Sequence, residues 1–169
     1  MIPIRSVVVS AVLLSKIESE IKLLLMKRVK GDYWCHVAGK VEEKETASQV
    51  LLREIKEETA IQPQRLFSAD YIEQFYEPSL NVIEMIPAFV GFCAENQSVL
   101  LNHEHTEYRW CSLAEAKTLA VFSNQRKLYD FIWENFVLQQ CDYHYRPCFG
   151  DESQPFTTNQ IRSTLSEST

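Results

Sequence analysis

Apolar and polar residues along the first half of the chain follow the pattern of buried strands separated by polar turns. The segments 4–14 and 21–28 are rich in Val, Ile and Leu, and the polar stretch KIESE separates them. Such runs predict a β-hairpin. Strand-like segments recur at about 65–76 and 82–94. Pro87 lies inside the last of these, and because proline cannot donate to a strand ladder, it predicts an edge strand or a bulge.

The second half of the chain predicts one more strand followed by helices. EYRWCS has the pattern of a short strand and SLAEAKTLA that of a short helix. FSNQRKLYDFIWENFVL predicts a longer amphipathic helix, since four apolar residues recur at helical spacing: Leu128, Phe131, Ile132 and Phe136. The order of strands, helix, strands and helices favours an α/β (α+β) fold.

Between the strands, residues 46–61 predict an amphipathic helix whose apolar face also carries carboxylates. Thr46 and Gln49 have the spacing of a capping box, so we expect the helix to begin there and to end near Ala60. On a helical wheel, four apolar residues share one face: Ala47, Val50, Leu51 and Ile55. Three glutamates fall on the same face: Glu54, Glu57 and Glu58.

Carboxylates crowded on one helix face repel one another, and the repulsion grows when they are partly buried. Arg53 neutralises only one of them, which favours a bound divalent cation. Hard oxygen ligands that enclose the ion only in part suit Mg²⁺, with Mn²⁺ as the alternative. The competing interpretation is an ordinary acidic helix with a solvated face.

Composition narrows the possible partners and the compartment. A formal net charge of -6 argues against a protein that binds polyanions by bulk charge, so we expect no nucleic-acid partner. Five cysteines without a CxxC pair favour a reduced compartment, and we expect a cytoplasmic protein. The N-terminal apolar run is too short for a membrane span and fits a signal peptide poorly.

Length and local composition predict one folded domain with an extension. A chain of 169 residues with 46% apolar content suffices for a single core, which we expect over residues 1–140. The remaining segment, 141–169, is rich in Ser and Thr from residue 150 onward and poor in large apolar residues. We expect this C-terminal extension to be flexible.

The stretch GKVEEKETASQVLLREIKEETAI, residues 39–61, resembles the Nudix box, in which a glycine, an early glutamate and an Arg-Glu-aliphatic-x-Glu-Glu core have fixed spacing. Eight residues are in register: Gly39, Glu45, Arg53, Glu54, Ile55, Glu57, Glu58 and Ile61. Ala60 departs, because the family usually has glycine there. A glycine at this place ends the helix in a left-handed backbone conformation, so the departure concerns the local turn and not the carboxylates.

The resemblance implies a Nudix-type α/β/α sandwich with a mixed sheet, and an enzyme that cleaves a nucleoside diphosphate linked to another group by attack of water on phosphorus. By the family's pattern Glu54, Glu57 and Glu58 would hold the metal ion, and one of them would also position or deprotonate the water. The Gly39 carbonyl would add a ligand. Glu45 and Arg53 would form an ion pair that fixes the loop against the helix.

Outside the box, LNHEHTEYRW supplies two acids, of which Glu104 is the candidate for a further metal ligand or base and Glu107 the reserve. His103 and His105 are expected to be surface loop residues, since no third zinc-type ligand has a usual spacing. Six residues are candidate substrate contacts: Arg5, Lys27 and Arg28 for phosphates, and Trp34, Tyr76 and Phe122 for stacking on a ring. Each also has an ordinary interpretation, as an exposed cation or a core aromatic.

Three stretches, DYWCHVAGKVE, HEHTEYRW and FSNQR, are similar to those of bacterial pyrophosphohydrolases of the dihydroneopterin triphosphate or dATP type. The implied reaction converts a small-molecule nucleotide or pterin triphosphate to a monophosphate and pyrophosphate. An asymmetrical diadenosine tetraphosphate hydrolase is the alternative. In the family, a Tyr or Pro at one position after the box often distinguishes the substrate branches; Tyr76 and Pro78 lie on either side of that position, so they do not decide between the two. A non-catalytic nucleotide-binding regulator is a third hypothesis. Both a monomer and a homodimer remain open.

Overall fold

The computed structural model describes residues 1–139 and the strand at 147–149. Its main elements follow the predicted order of strands, one helix, strands and then helices. The strands are β1 (Ile4–Arg5), β2 (Val8–Ile17), β3 (Glu20–Arg28), β4 (Trp34–Cys35), β5 (Val37–Lys40), β6 (Arg65–Glu77), β7 (Val82–Phe92), β8 (His105–Cys111) and β9 (Pro147–Phe149). The helices are α1 (Ala47–Thr59), α2 (Leu113–Leu119) and α3 (Ser123–Ile132), and α3 continues as a π-helix over Trp133–Leu138.

One mixed sheet contains the strands of the described residues, in the order β4-β3-β2-β7-β6-β9. β1 adds to β7, β5 adds to β2 and β8 adds to β3. β2 and β3 form the predicted antiparallel hairpin, whereas β2 runs parallel to β7. β2 therefore lies at the centre and connects the strand that leads into α1 with the long β6–β7 hairpin.

Two hydrophobic cores, one on each face of the sheet, make the sandwich. Alternate residues of a strand point to opposite faces, so Val12 and Leu14 of β2 join one core while Ala11 and Leu13 join the other. The first core lies under α2 and α3, and the second lies under α1. This confirms the predicted α/β/α sandwich with a mixed sheet.

Helix α1 has the predicted beginning and end. The Thr46 side chain accepts from the Gln49 backbone while the Gln49 side chain accepts from the Thr46 backbone, which is the full capping box. Val50, Leu51 and Ile55 are buried against the sheet. Ala60 follows the helix with φ 57° and ψ 14°, so this alanine adopts the left-handed conformation that glycine usually supplies there.

Of the two alternatives predicted from Pro87, the edge strand is wrong, whereas a bulge does lie nearby. β7 lies between β2 and β6 and is not an edge strand. The bulge near Pro87 belongs to the neighbouring strand, because the β6 register shifts between Ser68 and Tyr71, opposite Phe89 and Ala88. On its other side β7 pairs with β1 up to Glu84 and with β2 from Ala88 onward. Pro87 thus occupies the gap between two neighbours, where no N–H is needed for a ladder.

The C-terminal segments differ from the prediction in two respects. The longer amphipathic helix changes to π geometry at Trp133, although Leu128, Ile132 and Phe136 are buried as expected and Phe131 is half-buried. The strand Pro147–Phe149, inside the predicted extension, pairs with β6. The rest of the extension lies outside the described residues. Among the helices of the described residues, none is both long and apolar enough to cross a membrane.

The backbone conformation of Ala60 predicts that Ala60→Gly stabilises the protein. A left-handed residue with a Cβ costs about 1–2 kcal/mol, and the larger unfolded-state entropy of glycine offsets part of this, so we expect a net gain of roughly 0.5–1 kcal/mol. The free energy of unfolding in urea measures it. Ala114→Gly within α2 is the control and should destabilise by about 0.5–1 kcal/mol. Equal losses in both variants would contradict the prediction.

Candidate active site

Gly39 and Glu54 bring strand β5 and helix α1 into direct contact. A Cβ built on Gly39 would lie 2.2 Å from Glu54 Cγ, which is closer than two carbon atoms can approach without a bond between them. Only glycine therefore lets the Glu54 side chain lie directly over the strand. As a result, the Glu54 carboxylate sits against the backbone at Gly39, which brings a carboxylate and a main-chain carbonyl to the same end of the helix–strand interface.

Arg53 joins the loop to the helix through three carboxylates. Its Nε and Nη2 each donate to one Glu45 carboxylate oxygen at 3.0 Å, and its Nη1 donates to Glu54 Oε1 at 2.7 Å. Glu57 Oε2 lies 3.6 Å from the same Nη1. The hydrogen bonds from Arg53 lower the pKa of Glu45. The structure thus has the Glu45–Arg53 pair that the resemblance implies, and it extends the pair to Glu54 and Glu57.

Glu58 is the most deeply placed carboxylate of the helix, with only 4% of the residue exposed. Its Oε2 is buried and has no hydrogen-bond partner among the described residues. Burial, followed by the charges of Glu54, Glu104 and Glu57, raises the pKa of Glu58 to about 8, although Arg28 acts in the opposite direction. Three further carboxylates are therefore near enough for their charges to act on Glu58, and Glu58 Oε2 lacks a partner among the described residues.

Exposure differs among the three helix carboxylates, which the helical wheel did not predict. The Glu54 side chain is 18% exposed, whereas the Glu57 side chain is 57% exposed. Glu57 thus lies at the mouth of the site, and the expectation that all three point inward holds for Glu58 and in part for Glu54. A wheel gives the direction of a side chain, but it does not show how far the facing strands extend over it.

The loop before β8 places Glu104 beside the end of β3. Glu104 Oε2 lies 3.4 Å from Arg28 Nη2, and the Glu104 carbonyl accepts from the Val29 backbone at 2.8 Å. Its charge raises the Glu58 pKa, so the fold brings Glu104 to the helix carboxylates. Glu107 faces away from them and pairs with Lys27 at 3.5 Å.

The two histidines of this loop differ from each other. His103 is exposed as expected. His105 is 94% hidden from solvent, at 6% exposure, so its assignment to the surface was wrong. Its Nδ1 lies 3.3 Å from Asn102 Oδ1, and burial lowers its pKa. The reason is that β8 begins at His105 and pairs it with Arg28 of β3.

The carboxylates suit a magnesium ion in chemistry, although they are not gathered around a single point. No group of three His, Cys, Asp or Glu side chains in the described part of the chain is close enough to hold an ion. Arg53 accounts for this, because it draws Glu54 and Glu57 toward the loop while Glu58 remains inside. The donors are hard oxygens, and an unpartnered buried carboxylate oxygen is the atom that a cation would satisfy.

The predicted substrate contacts do not all lie together. Arg5 donates to the buried carboxylate of Glu84, so its charge is already paired. Lys27 pairs with Asp32 at 3.1 Å. Arg28 lies beside Glu104, and its charge acts on Glu58, so of these three predicted phosphate contacts Arg28 is the one placed at the carboxylates.

The three aromatic candidates occupy different surroundings. The Arg109 guanidinium covers the Trp34 ring at 5.3 Å. Phe122 is 52% exposed and meets the edge of the Tyr33 ring at 5.6 Å. Tyr76 donates to Asn81 at 3.0 Å near the end of β6. By alternation along β6, Tyr76 points to the face opposite Tyr71, which packs under α3, so the fold separates it from Phe122.

A buried polar network under α3 was missed by the sequence analysis. Glu73 Oε1 accepts from Ser10 Oγ at 3.3 Å and lies 3.5 Å from His36 Nε2. His36 Nδ1 lies 3.0 Å from the Tyr129 hydroxyl. Gln125, on the same helix face, is also buried. The available signal was an acidic residue in YIEQF, a segment otherwise suited to a strand, but its partners are distant in sequence.

Comparison with known proteins agrees with this geometry. A model of the NUDIX domain matches residues 5–131. A dihydroneopterin triphosphate diphosphatase of Escherichia coli (strain K12) is 28% identical in an alignment of 124 residues that covers 65% of this chain and 81% of that protein. A bis(5'-nucleosyl)-tetraphosphatase [asymmetrical] of Mus musculus is 33% identical over 114 residues, covering 64% of this chain and 76% of that protein.

Solved structures share the architecture. The E. coli dihydroneopterin triphosphate pyrophosphohydrolase superimposes with a TM-score of 0.66 at 24% identity, over 82% of this chain and 99% of that one. At this identity the likeness shows the fold. The family match, in contrast, spans most of the chain and includes both the box and its surrounding strands. The chain therefore belongs to the Nudix family of hydrolases, which act on phosphoric anhydride bonds.

Proposed function

We propose that the chain is a magnesium-dependent pyrophosphohydrolase that converts a (deoxy)nucleoside triphosphate or dihydroneopterin triphosphate to a monophosphate and pyrophosphate by attack of water on phosphorus. The observation that carries this proposal is Glu58, a buried carboxylate with an unpartnered oxygen among three further carboxylates. The similarity to a dihydroneopterin triphosphate diphosphatase supports the choice of substrate class. A cytoplasmic location, and a monomer or homodimer, belong to the same proposal.

Glu54, Glu57, Glu58 and Glu104, with the Gly39 carbonyl, would hold Mg²⁺, or Mn²⁺ in its place. A bound divalent ion neutralises charge on phosphate oxygens and lowers the pKa of water, so no protein nucleophile is needed. The acidic residues also provide the base. Glu57 is the exposed member at the mouth of the site, and Glu104 approaches from the β8 side. Either carboxylate would accept a proton from the attacking water.

The cations of the site divide between positioning and binding. Arg53 holds Glu45, Glu54 and the Lys40 carbonyl, so it fixes the loop between β5 and α1. Arg28 stands beside Glu104 with a third of its side chain exposed, and we assign it to the substrate phosphates. A bound triphosphate would pair with the positive charge of Arg28, which Glu104 now balances.

An asymmetrical diadenosine tetraphosphate hydrolase is the second candidate. The 33% identity to the mouse bis(5'-nucleosyl)-tetraphosphatase favours it. A non-catalytic nucleotide-binding regulator is a weaker candidate, because every carboxylate of the box is present. Product analysis separates the three. The purified protein is incubated with dihydroneopterin triphosphate, dATP or diadenosine tetraphosphate, with and without Mg²⁺.

Pyrophosphate released from a triphosphate only with Mg²⁺ is the result we expect. ATP and AMP from the dinucleotide, without attack on either triphosphate, would favour the second candidate. No product from any of the three substrates would contradict a catalytic role and favour the regulator.

Replacing the metal-binding carboxylates should abolish turnover without unfolding the protein. We expect Glu57→Gln and Glu58→Gln each to lower kcat by about 100-fold or more, because charge stabilisation at the reacting phosphate is lost. Steady-state kinetics with Mg²⁺ measures the effect, and thermal melting checks the fold. Glu43→Gln, at an exposed position in the loop between β5 and α1, is the control and should leave kcat unchanged. Full activity of both helix variants would rule out the assigned metal site.

Metal-free protein should lose stability as the pH rises, because of Glu58. The Glu58 pKa is about 8 when folded and near its ordinary value of 4.5 when unfolded. Between these values the unfolded chain binds fewer protons than the native one, so the free energy of unfolding falls from about pH 5 to pH 8.

Urea unfolding in the presence of a chelator, across this pH range, measures that fall. Glu58→Gln should make the free energy of unfolding nearly independent of pH over this range, because an amide does not ionise. Added Mg²⁺ should restore the stability of the native protein but not that of Glu58→Gln. A profile that is the same for both proteins would show that Glu58 is not the titrating group.

A further inference from the structure

Two buried polar side chains beneath the start of α3 have unused hydrogen-bond capacity. Glu73 and Gln125 are each 7% exposed. Both contacts of the Glu73 carboxylate fall on Oε1, which leaves Oε2 without a hydrogen bond among the described residues. Gln125 Oε1 is buried and has no partner there either. Buried acceptors are normally satisfied, so the Gln125 oxygen requires an explanation. The Glu73 carboxylate faces the side of the sheet that α3 covers, and its Oε2 is also free to accept.

The contacts of α3 with β6 place Gln125 and Glu73 at about the same level along the helix and the strand. Phe131 packs on Tyr71 with ring centroids 4.9 Å apart, and Asn124 Nδ2 donates to the Gln74 carbonyl at 2.9 Å. The helix therefore runs antiparallel to the strand. Seven helical residues rise about 10.5 Å and three strand residues about 10 Å, so the two contacts are consistent with each other. By the same spacing, Gln125 is level with Glu73.

Strand β6 extends beyond the first turn of α3, so an apolar side chain on this face of the sheet is exposed. Phe75 points to the same face as Glu73 but lies past the first turn of α3, and it is 42% exposed. Phe122, immediately before α3, is level with Phe75 by the same spacing. Its ring makes an edge-to-face contact with the Tyr33 ring. Phe75 is two residues from Glu73 on the same face of β6, and Phe122 is three residues before Gln125, so two exposed aromatic rings lie at the same end of the helix–strand pair. Aromatic side chains are the residues on which planar ligands stack.

Ser10 and His36 hold the Glu73 carboxylate in place. Burial favours the neutral acid, but the hydrogen bond and charge of His36 and the Ser10 hydroxyl outweigh it, so the pKa of Glu73 is lowered. An ionised carboxylate only accepts hydrogen bonds. The matching ligand edge must therefore present N–H donors.

We propose that Glu73 and Gln125 determine the ring specificity of the enzyme by accepting from the amino group and ring N–H of a guanine or pterin stacked on Phe75 and Phe122. The inference rests on the proposed function for the position of the phosphates at α1. Guanine and pterin carry an amino group next to a ring N–H, which gives two donors to two acceptors. Adenine carries an amino group next to a ring nitrogen that only accepts, so one acceptor would face another.

Calorimetric titration with monophosphates tests the ring contacts without turnover. The probes are GMP, dihydroneopterin monophosphate and AMP, added to the native chain. We expect the first two to bind about 10- to 100-fold more tightly than AMP, which corresponds to a hydrogen bond to a charged group. Equal affinities, tighter binding of AMP, or no binding of any of the three would overturn the inference.

Glu73→Gln and Gln125→Leu should each remove most of this preference while leaving AMP affinity unchanged. Gln125→Leu is the safer variant, because it removes a buried oxygen that has no partner among the described residues, and it should not lower the melting temperature. Gln74→Leu is the matched control: it lies next to Glu73 on the exposed, opposite face of β6 and should keep the preference. A preference that survives in both test variants would contradict the assignment.

Hydrolysis assays on the native chain keep the two proposals separate. Pyrophosphate release from all triphosphates, combined with equal affinities for GMP, dihydroneopterin monophosphate and AMP, would contradict the ring contacts of Glu73 and Gln125. It would leave the proposed function intact. Ring-selective binding that depends on Glu73 and Gln125, without hydrolysis of any triphosphate, would contradict the proposed function and leave the ring contacts intact.

Discussion

The active site depends on the repulsion among carboxylates that the fold forces together at the inner face of α1. Glu58 is buried by the sheet, Glu54 is pressed onto Gly39, and Glu104 is brought in by the loop before β8. The arrangement is costly on its own, as the raised Glu58 pKa shows. Such a cluster is stabilised either by protonation of Glu58 or by a positive charge that compensates for the carboxylates. Arg53 and Arg28 supply part of that charge from the rim, and a divalent ion would supply the rest.

The scaffold fixes this cluster through rigid elements. β2 pairs with β5 and with β7, so the strand that carries Gly39 is anchored at the centre of the sheet. The capping box and the left-handed turn at Ala60 define the two ends of α1. The carboxylates therefore project from a helix whose position is set at both ends, which is the kind of support that precise metal and phosphate geometry requires.

Local features of the sequence predicted much of the fold and of the box. The hairpin, the capping box and the conformation at Ala60 depend on neighbours within a few residues. Long-range contacts account for what the sequence did not predict: Arg5 is paired with Glu84, 79 positions away, and His105 is buried because β8 pairs with β3. The network of Ser10, His36, Glu73 and Tyr129 joins four separate segments. No periodicity in the chain indicates such pairings, because the sheet order creates them.

The most direct test of the central claim is a titration of the purified protein with Mn²⁺, followed by electron paramagnetic resonance. Bound Mn²⁺ loses its free-ion signal, so the measurement reports metal binding without substrate or turnover. We expect saturable binding that Mg²⁺ displaces and that Glu58→Gln strongly weakens, while Glu43→Gln binds as the native protein does. Absence of saturable binding, or equal binding by Glu58→Gln, would contradict the claim that this carboxylate cluster is built around a cation.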